Sequence, residues 1–238
     1  AARFLPGYDS VNRDRNPDDA CGHGTHVTGI VAASTNNRLH GAGMRQATIV
    51  PMKVLGPMAS GGCSGSQSVI AQAILDAKNQ GAHVIVMSFG GTSGTTTLQN
   101  AVDAAWNSGV LLVAAAGNGG SNGIDYPAAY ANVIAVGALT SGRVRASYSD
   151  TGSALDVMAP GSSIESTSLS GGTSYMTGTS MAAPHVGGAI GLAKSCAPGA
   201  SNSQIRSALV STADDLGVVG FDQSTGHGLV RADRLVAS

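Results

Sequence analysis

Apolar residues fall into short unbroken runs, separated by longer segments in which Ala, Ile and Gly recur at helical spacing. The runs at 48–55, 83–89, 110–116, 133–139 and 155–159 are rich in β-branched residues. They are too continuously apolar for strands with one wet face, so they predict a parallel sheet covered on both sides. The segments 67–80, 98–108, 181–194 and 203–211 predict the covering helices. The alternation is that of an α/β fold in three layers, a mainly parallel central sheet with helices on both faces. The glycines are scattered over strand ends and tight loops, with no linker and no repeat of fixed period, so 1–238 reads as one domain.

Composition narrows this picture only a little. With 238 residues, 42% of them hydrophobic, the chain has enough apolar material for one sizeable core. Thirteen basic and 14 acidic residues leave a net charge of -1 with no Lys/Arg run, which gives no electrostatic reason to expect a nucleic acid or a membrane surface as partner. No apolar stretch approaches the roughly 18 residues that span a bilayer. The Ala-Ala-Arg start has the pattern of neither a signal nor a transit peptide, so the expectation is a soluble chain whose targeting segment has been removed. Cys21, Cys63 and Cys196 allow one disulfide with one thiol left over, which fits a secreted, extracellular enzyme better than a small disulfide scaffold.

Three short stretches carry chemistry. In His23-Gly24-Thr25-His26-Val27 a histidine opens a predicted helix whose Gly29, Ala32 and Ala33 permit close packing against the sheet. Ala114-Ala115-Ala116-Gly117-Asn118 is a buried strand that ends in Gly and then a carboxamide, at the carboxyl edge where open α/β sheets place their sites. In Gly178-Thr179-Ser180-Met181-Ala182-Ala183-Pro184-His185 a hydroxyl sits where a helix starts, and Pro184 is expected near the first turn, where its missing N–H does least harm. Each has a bland reading beside the chemical one. Ser180 could be a simple N-cap, Asn118-Gly119 a turn, and His23 with His26 an H-x-x-H metal pair, although no thiolate or carboxylate motif accompanies it. His83, His185 and His227 read as structural.

Together with Lys53-Val54-Leu55, Met87-Ser88-Phe89-Gly90-Gly91, Tyr126-Pro127-Ala128, Val133-Ile134-Ala135-Val136-Gly137 and Asp156-Val157-Met158-Ala159-Pro160-Gly161, these motifs stand in the order and near the spacing of the subtilases. Over essentially its whole length the chain resembles that family of serine endopeptidases. The resemblance implies that Ser180 is the nucleophile, His23 the general base and then acid, and Asn118 the side-chain donor to the oxyanion, helped by the Ser180 N–H. The roles agree with the chemistry. A serine hydroxyl attacks only when an imidazole takes its proton, and the charge developing on the substrate carbonyl needs fixed donors.

One part of the family pattern is missing. Subtilases order their triad Asp, His, Ser, with the Asp in an Asp-Thr/Ser-Gly motif at the end of the first strand, and no such motif precedes His23. Asp9, Asp14, Asp18 and Asp19 lie close before His23 in a polar, Pro-containing stretch that reads as loop, and 3–9 reads as the segment after that strand. The expectation is a catalytic domain lacking its first strand. The carboxylate would come from a separately bound N-terminal peptide, be lost by truncation, or be absent from a degraded, peptide-binding relic. The retention of His23, Asn118 and Ser180 together favours the enzyme.

Four finer expectations follow from the resemblance. Polypeptide substrates would add as a strand to edges at Ser64-Gly65 and Ser88-Phe89-Gly90, with Phe89 lining an apolar subsite, unless these are ordinary Gly-rich loops. Cys21 and Cys63 would pair, because the fold brings both to one side of the cleft, and Cys196 would stay free. Thr35, Asn37, Leu39 and Gly41 would hold calcium through three carbonyls and the Asn37 side chain, with Arg38 and His40 pointing outward and a carboxylate from the missing segment, unless the loop is a plain polar connection. Asp125, just before Tyr126-Pro127, would lie at the base of the primary specificity pocket and favour Arg or Lys before the scissile bond, unless it turns to solvent or to a bound cation.

Overall fold

The structure is a computed structural model that describes residues 3–39, 41–121 and 123–238, with the backbone alone for Arg3. Its centre is a four-stranded parallel sheet. In chain order the elements begin with β1 (Arg3–Phe4), β2 (Tyr8–Asp9), α1 (His23–Ala32), β3 (Thr48–Ile49), β4 (Met52–Lys53), β5 (Gly56–Pro57), β6 (Cys63–Ser64) and α2 (Gln67–Asn79). They continue with β7 (Val84–Met87), α3 (Thr96–Asn107), β8 (Leu111–Ala115), β9 (Ile134–Leu139) and β10 (Leu155–Pro160). The chain then forms a hairpin of β11 (Ile164–Thr167) and β12 (Thr173–Met176), followed by α4 (Thr179–Cys196), α5 (Asn202–Ser211) and α6 (Ala232–Ala237).

The sheet runs β10-β9-β8-β7 with every pair parallel. Side chains alternate across a strand, and β8 shows the result. Leu111, Val113 and Ala115 enter the core under α4, while Leu112 and Ala114 enter the core under α2 and α3. Both faces are dry, which is why the runs are apolar without alternation. Helix α4 crosses all four strands on one face. Its glycines make that possible, since a Cβ on Gly187 would stand 2.4 Å from Val86 Cγ2. The motif at 156–161 is structural at its first residue: Asp156 accepts the Ala135 N–H at 2.9 Å and forms an ion pair with Arg206 at 2.8 Å.

Four expectations change. The run 48–55 is two short strands interrupted at Pro51, which lacks a ladder N–H, and it lies outside the four-stranded sheet, paired instead with β1 and β2. Asp9, read as part of a loop, is the last residue of β2. Pro184 is the sixth residue of α4 and lies inside the helix, leaving the Ser180 carbonyl without its usual N–H donor. Finally, α1 packs through Gly29 on the β11 hairpin strand, where a Cβ would meet Thr167 Oγ1 at 2.2 Å, and not on the central sheet.

The order β4, α2, β7 is that of a parallel strand-helix-strand unit, but the two strands are not neighbours. Among the described residues, β7 pairs only with β8 and β4 only with β2. A cavity of about 1600 Å³ separates them, with residues 47–55 on one side and 81–86 on the other.

Candidate active site

The carboxyl end of β7 and β8 opens into that same cavity, and His23, Asn118 and Ser180 all line it. Ser180 is the second residue of α4, so its N–H is among the first four of the helix and has no intrahelical acceptor. Asn118 follows β8, with its orientation set from behind. Its Oδ1 accepts the Thr179 N–H at 2.8 Å and the Thr179 hydroxyl at 3.0 Å. Thr179 is itself fully buried, and its hydroxyl also reaches the Gly117 backbone. With Oδ1 occupied, the Asn118 amide presents Nδ2 to the cavity. Sequence reasoning missed Thr179 although it stands inside the quoted motif, because nothing local says that its hydroxyl faces a residue 61 positions away.

His23 is the first residue of α1, whose N-terminus is held by Asp19. That carboxylate accepts the N–H groups of Cys21, Gly22 and Thr25 at 2.8, 2.9 and 2.7 Å and the Thr25 hydroxyl at 2.8 Å. Burial raises the Asp19 carboxyl, and the bonds from Thr25, Cys21 and Gly22 outweigh it and hold it below the usual carboxylate range. For the His23 ring, burial lowers the pKa from its ordinary value, the Asp19 charge opposes this, and His26 adds to it.

No carboxylate among the described residues hydrogen-bonds the His23 ring. Asp19 is used as a cap, and Asp9 is fully buried on Lys53 at 2.7 Å. Asp14 and Asp18 are exposed. Nor are the His23 ring and the Ser180 hydroxyl hydrogen-bonded to each other among the described residues. The Ser180 hydroxyl donates to the Ser88 carbonyl at 2.9 Å. His26 diverges from His23, with Nε2 3.0 and 3.1 Å from the Ile164 and Ser174 carbonyls, so the two rings do not form a metal pair.

Around this centre Ser88, Phe89, Gly90 and Asp125 line the cavity, whereas Ser64 and Gly65 do not, although Gly62 and Cys63 do. Among the described residues, Phe89 and Gly90 make no backbone hydrogen bond. Cys21 and Cys63 form a disulfide with Cα atoms 6.6 Å apart, and Cys196 is a free, exposed thiol. The disulfide ties the segment before His23 to β6. In the 35–41 loop, Asn37 Oδ1 accepts the Leu39 N–H at 3.0 Å, and His40 lies outside the described residues. The loop offers Thr35, Leu39 and Gly41 carbonyls but no carboxylate, a neutral oxygen set that fits calcium only with an acidic ligand from elsewhere. His83 lines the cavity, His185 Nδ1 sits 2.8 Å from the Met181 carbonyl, and the His227 ring meets the Phe221 ring at a tilt of 54°.

A family model described as the subtilase family matches residues 2–228. The chain belongs to the subtilases. It is 44% identical over 228 residues to thermitase from Thermoactinomyces vulgaris, covering 95% of this chain and 80% of that protein. It is 46% identical over 233 residues to subtilisin Savinase from Lederbergia lenta, covering 98% and 81%. Against a thermophilic serine proteinase from Bacillus sp. (strain AK1) it is 47% identical, covering 92% of this chain but only 53% of that protein, so it spans about half that relative's length. Among solved structures, a protease of Pseudoalteromonas arctica superposes with a TM-score of 0.86 at 35% identity, covering 99% of this chain and 84% of the other. By class this subtilase is a subtilisin-like serine endopeptidase with the family's α/β fold. No helix among the described residues is long and apolar enough to cross a membrane.

Proposed function

We propose that this subtilase hydrolyses polypeptides with Ser180 as nucleophile, His23 as general base and acid, and Asn118 Nδ2 with the Ser180 N–H as the oxyanion site. The observation that carries the reading is the pinned carboxamide. Thr179 occupies Asn118 Oδ1, so a fixed donor stands beside a hydroxyl at a helix N-terminus, and such pre-set donors stabilise developing charge without reorganisation. In the first step Ser180 Oγ turns from the Ser88 carbonyl to the substrate carbon, its proton passes to the neutral His23 ring, and the carbonyl oxygen takes the negative charge. The tetrahedral adduct then collapses as His23 returns the proton to the leaving amine, and water repeats the sequence to release the acyl group.

The triad carboxylate is assigned to a strand outside these 238 residues that occupies the space between β4 and β7. The unpaired edge of β7, the cavity between the two strands and the unpartnered His23 ring support this reading. An extended segment there would bond to both edges and end beside His23. The substrate backbone is placed against Ser88-Phe89-Gly90, where Phe89 and Gly90 have main-chain groups free among the described residues that suit strand addition, with Ser64-Gly65 as the opposite edge. The same carboxylate-bearing segment would complete a calcium site at 35–41, and secretion is the compartment that fits the disulfide. A second reading, that the chain by itself is catalytically impaired and binds peptides, is favoured by the Ser180 hydroxyl resting on Ser88 and not on His23.

The test is to add synthetic apolar heptapeptides ending in Asp or in Asn to the chain and follow hydrolysis of a peptide amide. Activity that rises with the Asp peptide and far less with the Asn peptide is the expected result. Full activity without either peptide, or equal activation by both, removes the strand assignment.

A further inference from the structure

Segments 88–90 and 115–117 leave the sheet side by side, because Met87 and Ala114 are paired in register. Both lead toward Ser180 and Asn118. Across their tips runs 125–126, tied to each: the Asp125 N–H donates to the Ala116 carbonyl at 2.8 Å, and Tyr126 exchanges two backbone bonds with Gly91 at 2.8 and 3.0 Å. Asp125 therefore forms the floor between two walls. Both walls lack side chains at this level. A Cβ on Gly90 would stand 2.8 Å from Asp125 Cβ, and one on Gly117, whose φ is +117°, would stand 2.9 Å from Asp125 Oδ2. The same Gly117 position lies 2.0 Å from Asp150 Oδ2, so two carboxylates meet at one bare face.

Neither carboxylate has a counter-ion among the described residues. Asp150 is buried, and its Oδ1 accepts the Ser121 N–H and hydroxyl at 2.8 and 3.1 Å, leaving Oδ2 without a hydrogen bond. Asp125 makes no side-chain hydrogen bond or ion pair among them and lines the cavity that holds Ser180. Burial first, and then the Asp150 charge, push its carboxyl up from the ordinary value.

We propose that Asp125, backed by Asp150, selects a cationic side chain, Arg or Lys, at the substrate residue preceding the scissile bond. The proposal rests on Ser180 and Asn118 being the reacting centre. An apolar side chain entering between the glycine walls would strip water from an unpaired carboxylate, whereas a guanidinium supplies charge and paired donors together.

The test compares kcat/KM for peptides differing only in Arg, Lys, Phe or Leu at that residue, in the active protein and in Asp125→Asn. Calorimetry with benzamidine, an arylamidinium that needs no catalysis, reads the pocket separately, and a fluorophosphonate reads Ser180 alone. Arg is expected to exceed Phe by about 30-fold or more, with Asp125→Asn abolishing the ratio and weakening benzamidine at least about tenfold. Wild-type preference for Phe or Leu, an unchanged ratio in Asp125→Asn, or displacement of benzamidine by calcium would overturn the proposal. Loss of fluorophosphonate labelling with benzamidine binding intact would instead remove the nucleophile assignment.

Discussion

The two flanks of the sheet differ in completeness. From β8 to β10 every strand has neighbours and both faces are sealed, with Leu111, Leu112, Val113 and Ile134 fully buried. On the other flank β7 has one bare edge, its Val84, Ile85 and Val86 are only partly covered, and β4 stands across a cavity. The active site straddles this difference. Asn118 and Ser180 are set by the sealed flank through β8, α4 and Thr179. His23 is set by α1 beside the open one, and its ring has no hydrogen-bond partner among the described residues. Placement follows packing: Asn118 is held by Thr179 against a finished core, whereas the His23 ring is held only through its own helix.

The largest effect that would sharpen the contrast is at Ser180. With the vacant position filled, Ser180→Ala should lower kcat by about 10⁶-fold, a magnitude taken from subtilisin-type nucleophiles, with active-site titration as the check. A loss of tenfold or less would remove Ser180 from the chemistry. Next comes the sealed flank alone. Asn118→Ala should cost about 10² to 10³ in kcat, again the subtilisin value, with KM little changed. Thr179→Val should cost less and in the same parameter, since it removes the hydroxyl bond to Asn118 Oδ1 but keeps the backbone N–H bond, so the amide is held less firmly. A rise in KM without a fall in kcat would place Thr179 in binding instead.

The packing contrast can be broken at one register position. Leu112 and Ile85 are direct partners on β8 and β7. Leu112→Ala should cost about 2–5 kcal/mol by chemical denaturation, while Ile85→Ala should cost less until a strand peptide fills the cavity. Equal losses without the peptide would mean that the flank is already closed. The smallest effect is the titration of His23. Its folded pKa is lowered by burial, so folding stability is lower where the unfolded ring is protonated and the folded ring is not, and this cost fades as pH rises past about 6.5. Ring NMR should find the pKa below that value in the chain alone and raised when an Asp-ended peptide binds. Indifference to the peptide would separate His23 from the vacant position.

Most of the architecture was legible in the sequence because it depends on side-chain character along single segments. Continuous apolar runs belong to strands sealed on both faces, and the 110–116 run matches β8 to within a residue at either end. The motifs located His23, Asn118 and Ser180 for a similar reason: each occupies a strand or helix end that the local pattern marks. The run 48–55 read as one central strand because its apolar character is the same whether its neighbour is present or missing, and only pairing tells the two apart.

What the tertiary structure alone decided are the relations between distant segments. Asp19 looked like one of four loop carboxylates, and only its four hydrogen bonds show it to be the cap of α1. The lock of Thr179 on Asn118 and the meeting of Asp125 and Asp150 at Gly117 join residues far apart in the chain. By itself the sequence determined which segments are strands and helices and which residues carry reactive groups, because hydrophobic period and capping act within a few residues. Where those groups point, and which strands pair, was settled by packing, because only close approach of separate elements can occupy one carboxamide oxygen or leave β4 and β7 apart.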